Sequence, residues 1–177
     1  MIFTDSDFII IKKTVLFQKI RIQIPDVTLR TSLIVGFPGE TNENFEELLE
    51  FVKTTKFDKL GVFKYSKEEG TPAARLPEQI HGNTKKARYN KIMAEQQKIS
   101  KQVLEKKVEK NYKVLVEDMS FDGKYFVGRT MQDVPEEDGL VYIENDGSFD
   151  VNEILNNFVN CKITDVTNYD LKGKIVK

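Results

Sequence analysis

The sequence has few of the residues that build cross-links and metal centres. Its 177 residues include one cysteine, Cys161, and one histidine, His81. A single cysteine excludes an internal disulfide and points to a reducing compartment, so we expect a cytoplasmic protein. A lone histidine in a polar loop predicts a solvated side chain and not a catalyst. Cys161 lies in an alternating, strand-like run, which predicts a small buried apolar residue.

Long apolar runs are missing as well. The run at residues 8–11 is far shorter than the roughly 20 apolar residues of a membrane-spanning helix. No small-residue cleavage site follows it, so we expect neither a membrane contact nor a signal peptide. The chain also lacks a recognisable nucleophile and base pair and a phosphate-binding loop, and no catalytic residue or metal ligand is assigned.

Basic residues are scarce in the C-terminal third. Residues 111–177 contain seven basic and thirteen acidic residues, a net charge of −6, although the whole chain carries only −1. Residues 1–110 contain twenty basic and fifteen acidic residues, a net charge of +5. Because phosphates would meet like charge on the acidic part, nucleic acid is not the expected partner.

The middle of the chain has the pattern of a β-α-β unit. Residues 29–36 form a short apolar, β-branched run that stops at the glycine and proline turn 36–39. Thr41 is the predicted N-cap of a helix, and residues 59–65 read as a second strand. In such units the chemistry lies at the carboxyl ends of the strands. The helix is predicted to cover the sheet with an apolar stripe: Phe45, Leu48, Leu49 and Val52.

The flanking segments have different periodicities. Residues 14–24 suit the end of a helix that closes at Pro25. Residues 84–110 contain no glycine or proline and are rich in Lys, Gln, Glu and Ala, which predicts a helix over that range. Beyond residue 111 short β-rich runs are separated by glycine turns, which suggests a small barrel of the OB kind. The predicted strands are 112–116, 125–130, 140–144, 160–166 and 174–176.

A family resemblance rests on the β-α-β motifs. The string LRTSLIVGFPGET at residues 29–41, followed by LGVF at 60–63, YS at 65–66 and EEGTPAA at 68–74, resembles the later part of radical S-adenosylmethionine methylthiotransferases. The resemblance runs from about residue 16 to the C-terminus. It implies an α/β plus all-β fold class: a partial radical S-adenosylmethionine (β/α) barrel segment, a linking helix and a small OB-like TRAM β-barrel. The implied domains are 1–83 (1–13 being an atypical start), 84–110 and 111–177.

The same motifs indicate a branch of the family. Transfer-RNA-modifying members usually carry Arg-Pro-Gly-Thr-Pro-Ala where this chain has Glu68-Glu69-Gly70 followed by Thr-Pro-Ala. The resemblance therefore implies the branch that methylthiolates an aspartate of a small-subunit ribosomal protein, with an acidic TRAM domain for substrate recognition. Two alternatives stay open, which are part of a transfer-RNA methylthiotransferase and a non-catalytic RNA-binding or adaptor module. Glu68 and Glu69 themselves are adjacent in a loop, which is typical of solvated side chains.

The resemblance also implies cofactors and site residues. Full-length members use S-adenosylmethionine and two four-iron (4Fe-4S) clusters held by cysteines, and these cluster cysteines are absent here. We therefore expect this chain alone to be inactive, and a separate polypeptide is one source of the missing cluster domains. The residues alone leave open that the site positions are only core and turn positions. By resemblance the cofactor-binding residues are Ile34, Gly36, Phe37, Phe63 and Tyr65, and the substrate-protein recognition residues are Glu136, Glu137 and Asp138.

Overall fold

A computed structural model describes residues 5–176, with side chains from residue 14 onward. The predicted atypical start, residues 1–13, lies outside the residues whose side chains the structure describes. The chain divides into two compact units between Ile99 and Ser100, and the boundaries at 83/84 and 110/111 stay predictions. The first unit contains α1 Asp5–Gln23, β1 Arg30–Val35, α2 Asn42–Thr55, β2 Lys59–Lys64, a 3-10 turn Ala73–Arg75 and most of α3 Gly82–Glu105. Helix α3 continues past the division.

The first unit contains the predicted β-α-β unit. Strands β1 and β2 pair in parallel, with α2 between them in the chain. Helix α2 begins as predicted at Thr41, whose hydroxyl accepts from the Asn44 backbone N–H while the Asn44 side chain accepts from the Thr41 N–H. The apolar stripe of α2 is buried at Phe45, Leu49 and Val52. This stripe is buried on one side of the sheet, whereas Ile34 and Phe63 are exposed on the other side.

The start of β1 is anchored by aromatic packing and one carboxylate. The ring of Phe57 meets those of Phe17 and Phe51 edge-on, at centroid distances of 5.3 and 5.6 Å. Asp58 accepts a hydrogen bond from the Leu29 backbone N–H at 2.9 Å and pairs with Arg21 at 3.0 Å. These contacts hold Leu29 and Asp58, the residues directly before β1 and β2, next to each other.

Helix α3 is shorter than predicted at its C-terminal end. The sequence predicts helix to residue 110, but α3 ends at Glu105 and turns follow it. Glu109 adopts a positive φ of 66°, and its N–H donates to the Ile163 carbonyl at 2.8 Å. The prediction was wrong because no glycine or proline marks this end, where bonds to a distant strand replace helical ones.

The second unit is a closed barrel, which confirms the predicted fold class. Its strand order is β3-β4-β5-β7-β6, with all pairs antiparallel except β5 with β7. The buried core includes Val114, Phe126, Ile143, Cys161 and Ile163. The elements are β3 Asn111–Met119, β4 Tyr125–Thr130, β5 Val141–Glu144, a short helix α4 Val151–Ile154, β6 Phe158–Val166 and β7 Leu171–Ile175.

The barrel differs from the sequence prediction at several strand ends. β3 continues to Met119 and not to residue 116, and β6 begins at Phe158 and not at residue 160. The last strand begins at Leu171 and not at residue 174, because Gly173 interrupts its apolar alternation while still facing inward. A Cβ at Gly173 would lie 2.5 Å from the Cys161 Sγ, so only glycine fits there. Helix α4 was not predicted. It is one turn long, with the Asp150 side chain accepting from the Asn152 N–H.

Candidate functional site

The uncovered face of the β1–β2 sheet brings together two of the predicted cofactor residues. Ile34 and Phe63 are direct partners in the parallel register, so their side chains lie on the same face. Their side chains are 57% and 58% exposed. On the opposite face Val35 and Val62 are buried. The sheet thus presents neighbouring apolar side chains on its open side, just before the carboxyl ends of the strands.

Two aromatic residues extend this surface beyond the strands. The rings of Phe37 and Tyr65 meet edge-on at a centroid distance of 5.2 Å, and Phe37 is 44% exposed. Tyr65 is half-buried, and its hydroxyl oxygen is enclosed without a hydrogen-bond partner among the described residues. We call Ile34, Phe37, Phe63 and Tyr65 the open wall. The structure therefore places four of the five predicted cofactor residues next to one another.

Gly36 has a different position from the other four. It is buried with a φ of +75°, and its N–H donates to the Glu40 carboxylate at 3.0 Å. A Cβ at Gly36 would lie 2.4 Å from the Lys85 Cγ. Its amide and its Cα face are thus already occupied by protein groups. Gly36 shapes the turn that carries Phe37 and does not itself present an open surface.

Two residues that the sequence reasoning missed support this turn from the first part of α3. Lys85 donates from Nζ to the Tyr65 carbonyl at 2.9 Å and lies 4.9 Å from the centre of the Tyr65 ring. Arg88 pairs with Glu40 at 2.5 Å. A cation in the first turns of a helix opposes the helix dipole. Because Lys85 and Arg88 lie near the N-terminus of the predicted helix, the sequence could have indicated that both cations are held by groups outside that helix.

The predicted recognition residues lie in the loop between β4 and β5. Glu136 and Glu137 are exposed, and Glu136 has a positive φ of 64°. Asp138 is half-buried, and its carboxylate accepts from the Val134 N–H at 2.8 Å. Glu136 and Glu137 therefore face solvent, whereas Asp138 stabilises the turn that presents them.

The outer surface of the barrel strands carries aromatic and basic side chains. Tyr142 is a register partner of Lys172 on β7, and its ring lies 6.2 Å from that of Tyr125. Lys172 lies 4.0 Å from the Asp165 carboxylate, and Arg129 on β4 is paired with Glu117 at 2.8 Å. We call Tyr125, Tyr142 and Lys172 the outer strand surface. Its charge is largely neutralised by neighbouring carboxylates.

The remaining polar candidates have structural or solvent-facing positions. Cys161 is buried in the barrel core, and this burial raises the pKa of its thiol to about 11. Iron–sulfur clusters need thiolate ligands, so the cysteine content of this chain does not fit one. Among the side chains that the structure describes, residues 14–176, no group of three or more His, Cys, Asp or Glu is arranged for a metal ion. Glu68 is exposed and accepts from the Ser66 hydroxyl, and Glu69 and His81 are exposed too. No helix among the described residues is long and apolar enough to cross a membrane.

Comparison with known proteins matches both parts of the chain. The TRAM domain family matches residues 108–176. A ribosomal protein uS12 methylthiotransferase RimO of Alkaliphilus oremlandii is 57% identical over 160 residues, covering 90% of this chain and 36% of the relative. RimO of Clostridium novyi is 49% identical, covering 89% and 34%, and RimO of Desulforamulus reducens is 43% identical, covering 92% and 36%. This chain spans about a third of the length of these relatives. The resemblance identified in the sequence is therefore confirmed: the chain matches the C-terminal part of RimO methylthiotransferases and ends in a TRAM domain.

Proposed function

We propose that this chain supplies the C-terminal part of a cytoplasmic radical S-adenosylmethionine methylthiotransferase whose substrate is an aspartate of a small-subunit ribosomal protein. The observation that carries the proposal is the 57% identity with a RimO protein over 90% of the chain. The open wall at the strand ends adds a surface suited to a cofactor. In this proposal the first unit contributes to the cofactor site and the TRAM domain recognises the substrate protein.

The open wall fits the adenosine of S-adenosylmethionine. Ile34, Phe37 and Phe63 expose apolar surface, and the Tyr65 hydroxyl is a buried polar group without a partner among the described residues. Small-molecule sites are lined in this way, by apolar and aromatic side chains with a few polar groups. These residues would hold the adenosine group, and Gly36 would shape the turn beside it. When bound and reductively cleaved, S-adenosylmethionine supplies the radical chemistry of the family.

The two 4Fe-4S clusters do not fit the residues of this chain. Its single cysteine, Cys161, is buried with a raised thiol pKa. We infer that the chain by itself does not cleave S-adenosylmethionine, and that cluster ligands come from other polypeptide sequence. Anaerobic reconstitution with iron and sulfide, followed by an assay for 5'-deoxyadenosine, tests this. Product above a no-protein control would contradict it.

We assign substrate recognition to the acidic loop between β4 and β5 of the TRAM domain. Exposed Glu136 and Glu137, within a region of net charge −6, would attract a basic ribosomal protein through long-range electrostatics. Exposed charges are screened over about 8 to 10 Å near physiological ionic strength, so binding should weaken as salt rises. Asp138 contributes to the turn that holds both glutamates.

RNA binding is the second candidate function, and the outer strand surface favours it. Aromatic rings beside cations are the usual surface on which unpaired bases stack, and Tyr125, Tyr142 and Lys172 have this composition. The acidic charge of the domain opposes it. In a transfer-RNA enzyme or an RNA-binding adaptor, this surface would dominate binding.

One experiment separates the two candidates. The full chain is titrated with ribosomal protein uS12 and with a transfer-RNA anticodon stem-loop at two salt concentrations. The double variant Glu136→Lys/Glu137→Lys should weaken uS12 binding, and Tyr142→Ala should leave it unchanged. Asp138 is kept because its loss would disturb the turn. Tighter binding to the stem-loop, lost in Tyr142→Ala, would transfer the proposal to RNA.

A further inference from the structure

A buried ion pair in the first unit joins α3 to the turn of the open wall. The Arg88 Nη1 lies 2.5 Å from the Glu40 Oε1, and the two side chains are only 7% and 11% exposed. A buried charge that loses its partner is strongly unfavourable, because water no longer compensates it. Each of these residues therefore restricts where the other can lie.

Arg88 uses its planar fork to hold more than the carboxylate. Nη1 also donates to the Glu40 backbone carbonyl at 3.1 Å, and Nη2 donates to the Asn42 side-chain oxygen at 3.0 Å. One guanidinium thus holds Glu40, which directly follows the turn 36–39, together with Asn42, the first residue of α2. A lysine carries the same charge but lacks the flat arrangement of donors that reaches these acceptors.

The second oxygen of Glu40 continues the connection to β1. Oε2 accepts from the Gly36 N–H at 3.0 Å, directly after the last residue of the strand. The Glu40 N–H donates to the Phe37 carbonyl at 2.9 Å, and the Gly39 N–H donates to the Glu78 carbonyl at 3.1 Å. The bonds from Arg88 through Glu40 thus bracket Phe37 on both sides.

We propose that Arg88 is a positioning residue that acts through Glu40 to hold Gly36 and Phe37 in the shape that presents Phe37 at the open wall. This inference deepens the proposed function and rests on it, because the wall is proposed to contact the adenosine of S-adenosylmethionine. Arg88 does not contact the cofactor in this scheme. Its role is to keep the turn from relaxing when no cofactor is bound.

A matched residue on the same helix provides the control. Lys91 lies three positions after Arg88, pairs with Glu46 of α2 at 2.5 Å, and is 5.6 Å from the Phe45 ring centre, compared with 5.4 Å for Arg88. The Lys91 pair is exposed, at 51% and 59%, and does not reach the turn. Lys91→Met therefore removes a similar cation from the same pair of helices without affecting Gly36.

The test measures amide hydrogen exchange by NMR in the full chain, in Arg88→Lys, in Arg88→Met and in Lys91→Met. We expect exchange at Gly36, Gly39 and Glu40 to be about tenfold faster or more in both Arg88 variants. The bond from the Gly36 N–H to the Glu40 carboxylate is then weakened, and the turn that contains the Gly39 and Glu40 amides opens more often. Amides of β1 and α2 should change much less. Lys91→Met should leave all of them unchanged. If Arg88→Met does not fold, Arg88→Lys and Glu40→Gln provide the same comparison.

A second measurement on the same samples connects the turn to the cofactor. Titration with S-adenosylmethionine should shift Ile34, Phe37 and Phe63 signals, with about tenfold weaker binding in Arg88→Lys and unchanged binding in Lys91→Met. Uniformly faster exchange across the first unit, or unchanged exchange at Gly36, would overturn the positioning role. If the unsubstituted chain shows no shifts at the open wall, the proposed cofactor wall fails, while the exchange data still decide whether Arg88 holds the turn.

Discussion

The barrel and the β1–β2 sheet differ in how many hydrogen-bonded neighbours each strand has. In the barrel each of the five strands has two hydrogen-bonded neighbours, whereas in the sheet each strand has one among the described residues. The barrel buries its apolar side chains in one interior, and the sheet leaves Ile34 and Phe63 exposed on one face. Closure removes edges at which other chains can pair. The difference teaches that the first unit keeps one apolar sheet face open for contact, while the barrel exposes only its outer surface.

The largest expected effect comes from a matched pair of phenylalanines. Phe126 is fully buried in the barrel, whereas Phe63 lies on the open face. Phe126→Ala should lower the free energy of unfolding of the barrel by about 3–5 kcal/mol, and Phe63→Ala should change that of the first unit by under about 0.5 kcal/mol. Urea unfolding followed by circular dichroism measures both. Equal losses would show that the open face is covered in solution.

The buried thiol of the barrel predicts a loss of stability at alkaline pH. The pKa of Cys161 is raised from its ordinary value of 9.0 to about 11 by burial. Because the folded pKa is raised, the stability that the neutral thiol contributes is complete below about pH 9 and is lost as pH rises through about 11. The loss at full ionisation is roughly 2–3 kcal/mol. Unfolding curves from pH 8 to 11 should converge with those of Cys161→Ala, and parallel curves would contradict the prediction.

Two strand glycines sharpen the comparison further. A Cβ at Gly128 would lie 2.2 Å from the Leu115 carbonyl oxygen, whereas a Cβ at Gly61 in the open sheet would meet nothing closer than 3.4 Å. Gly128→Ala should destabilise the barrel by about 1–3 kcal/mol through overpacking. Gly61→Ala should be neutral or stabilising by up to about 1 kcal/mol, because alanine loses less backbone entropy on folding. Thermal unfolding of the two variants makes the comparison. An unchanged melting temperature for Gly128→Ala would mean that the Leu115 backbone can move away from residue 128.

The smallest expected effect concerns the start of α2. The Thr41 hydroxyl accepts from the Asn44 N–H at 3.2 Å, so Thr41→Ala should lower the free energy of unfolding of the first unit by about 1 kcal/mol. Thr41→Ser keeps the hydroxyl and serves as the control. The barrel transition should not move in either variant. A shift of the barrel transition would show that the two units unfold together.

Local patterns were sufficient for much of this fold. The stripe from Phe45 to Val52 and the cap at Thr41 identified α2, because helix periodicity and capping depend on residues only a few positions apart. Glycine turns at Gly123 and Gly147, both with positive φ, separated strands in the C-terminal part. The motifs around Gly36 and Tyr65 also located four residues that the structure places together.

Other features depended on contacts between distant residues. The end of α3 was placed too late because the bond from Glu109 to Ile163 joins residues 54 positions apart. The start of β7 was placed too late because Gly173 interrupts the apolar pattern of the strand. Glycine occupies this inward-facing position because Cys161 leaves no room for a Cβ. Neither contact leaves a mark in the neighbouring sequence.

For the open wall, the order of residues already specifies two strands, a glycine turn and aromatic side chains at the strand ends, because each follows from short-range backbone and side-chain preferences. The partners of these residues come from elsewhere in the chain. Arg88 meets Glu40 across 48 positions, and Lys85 covers Gly36 and meets Tyr65. Such pairings depend on how α3 packs against the strands, which is a property of the folded chain and not of any segment of it.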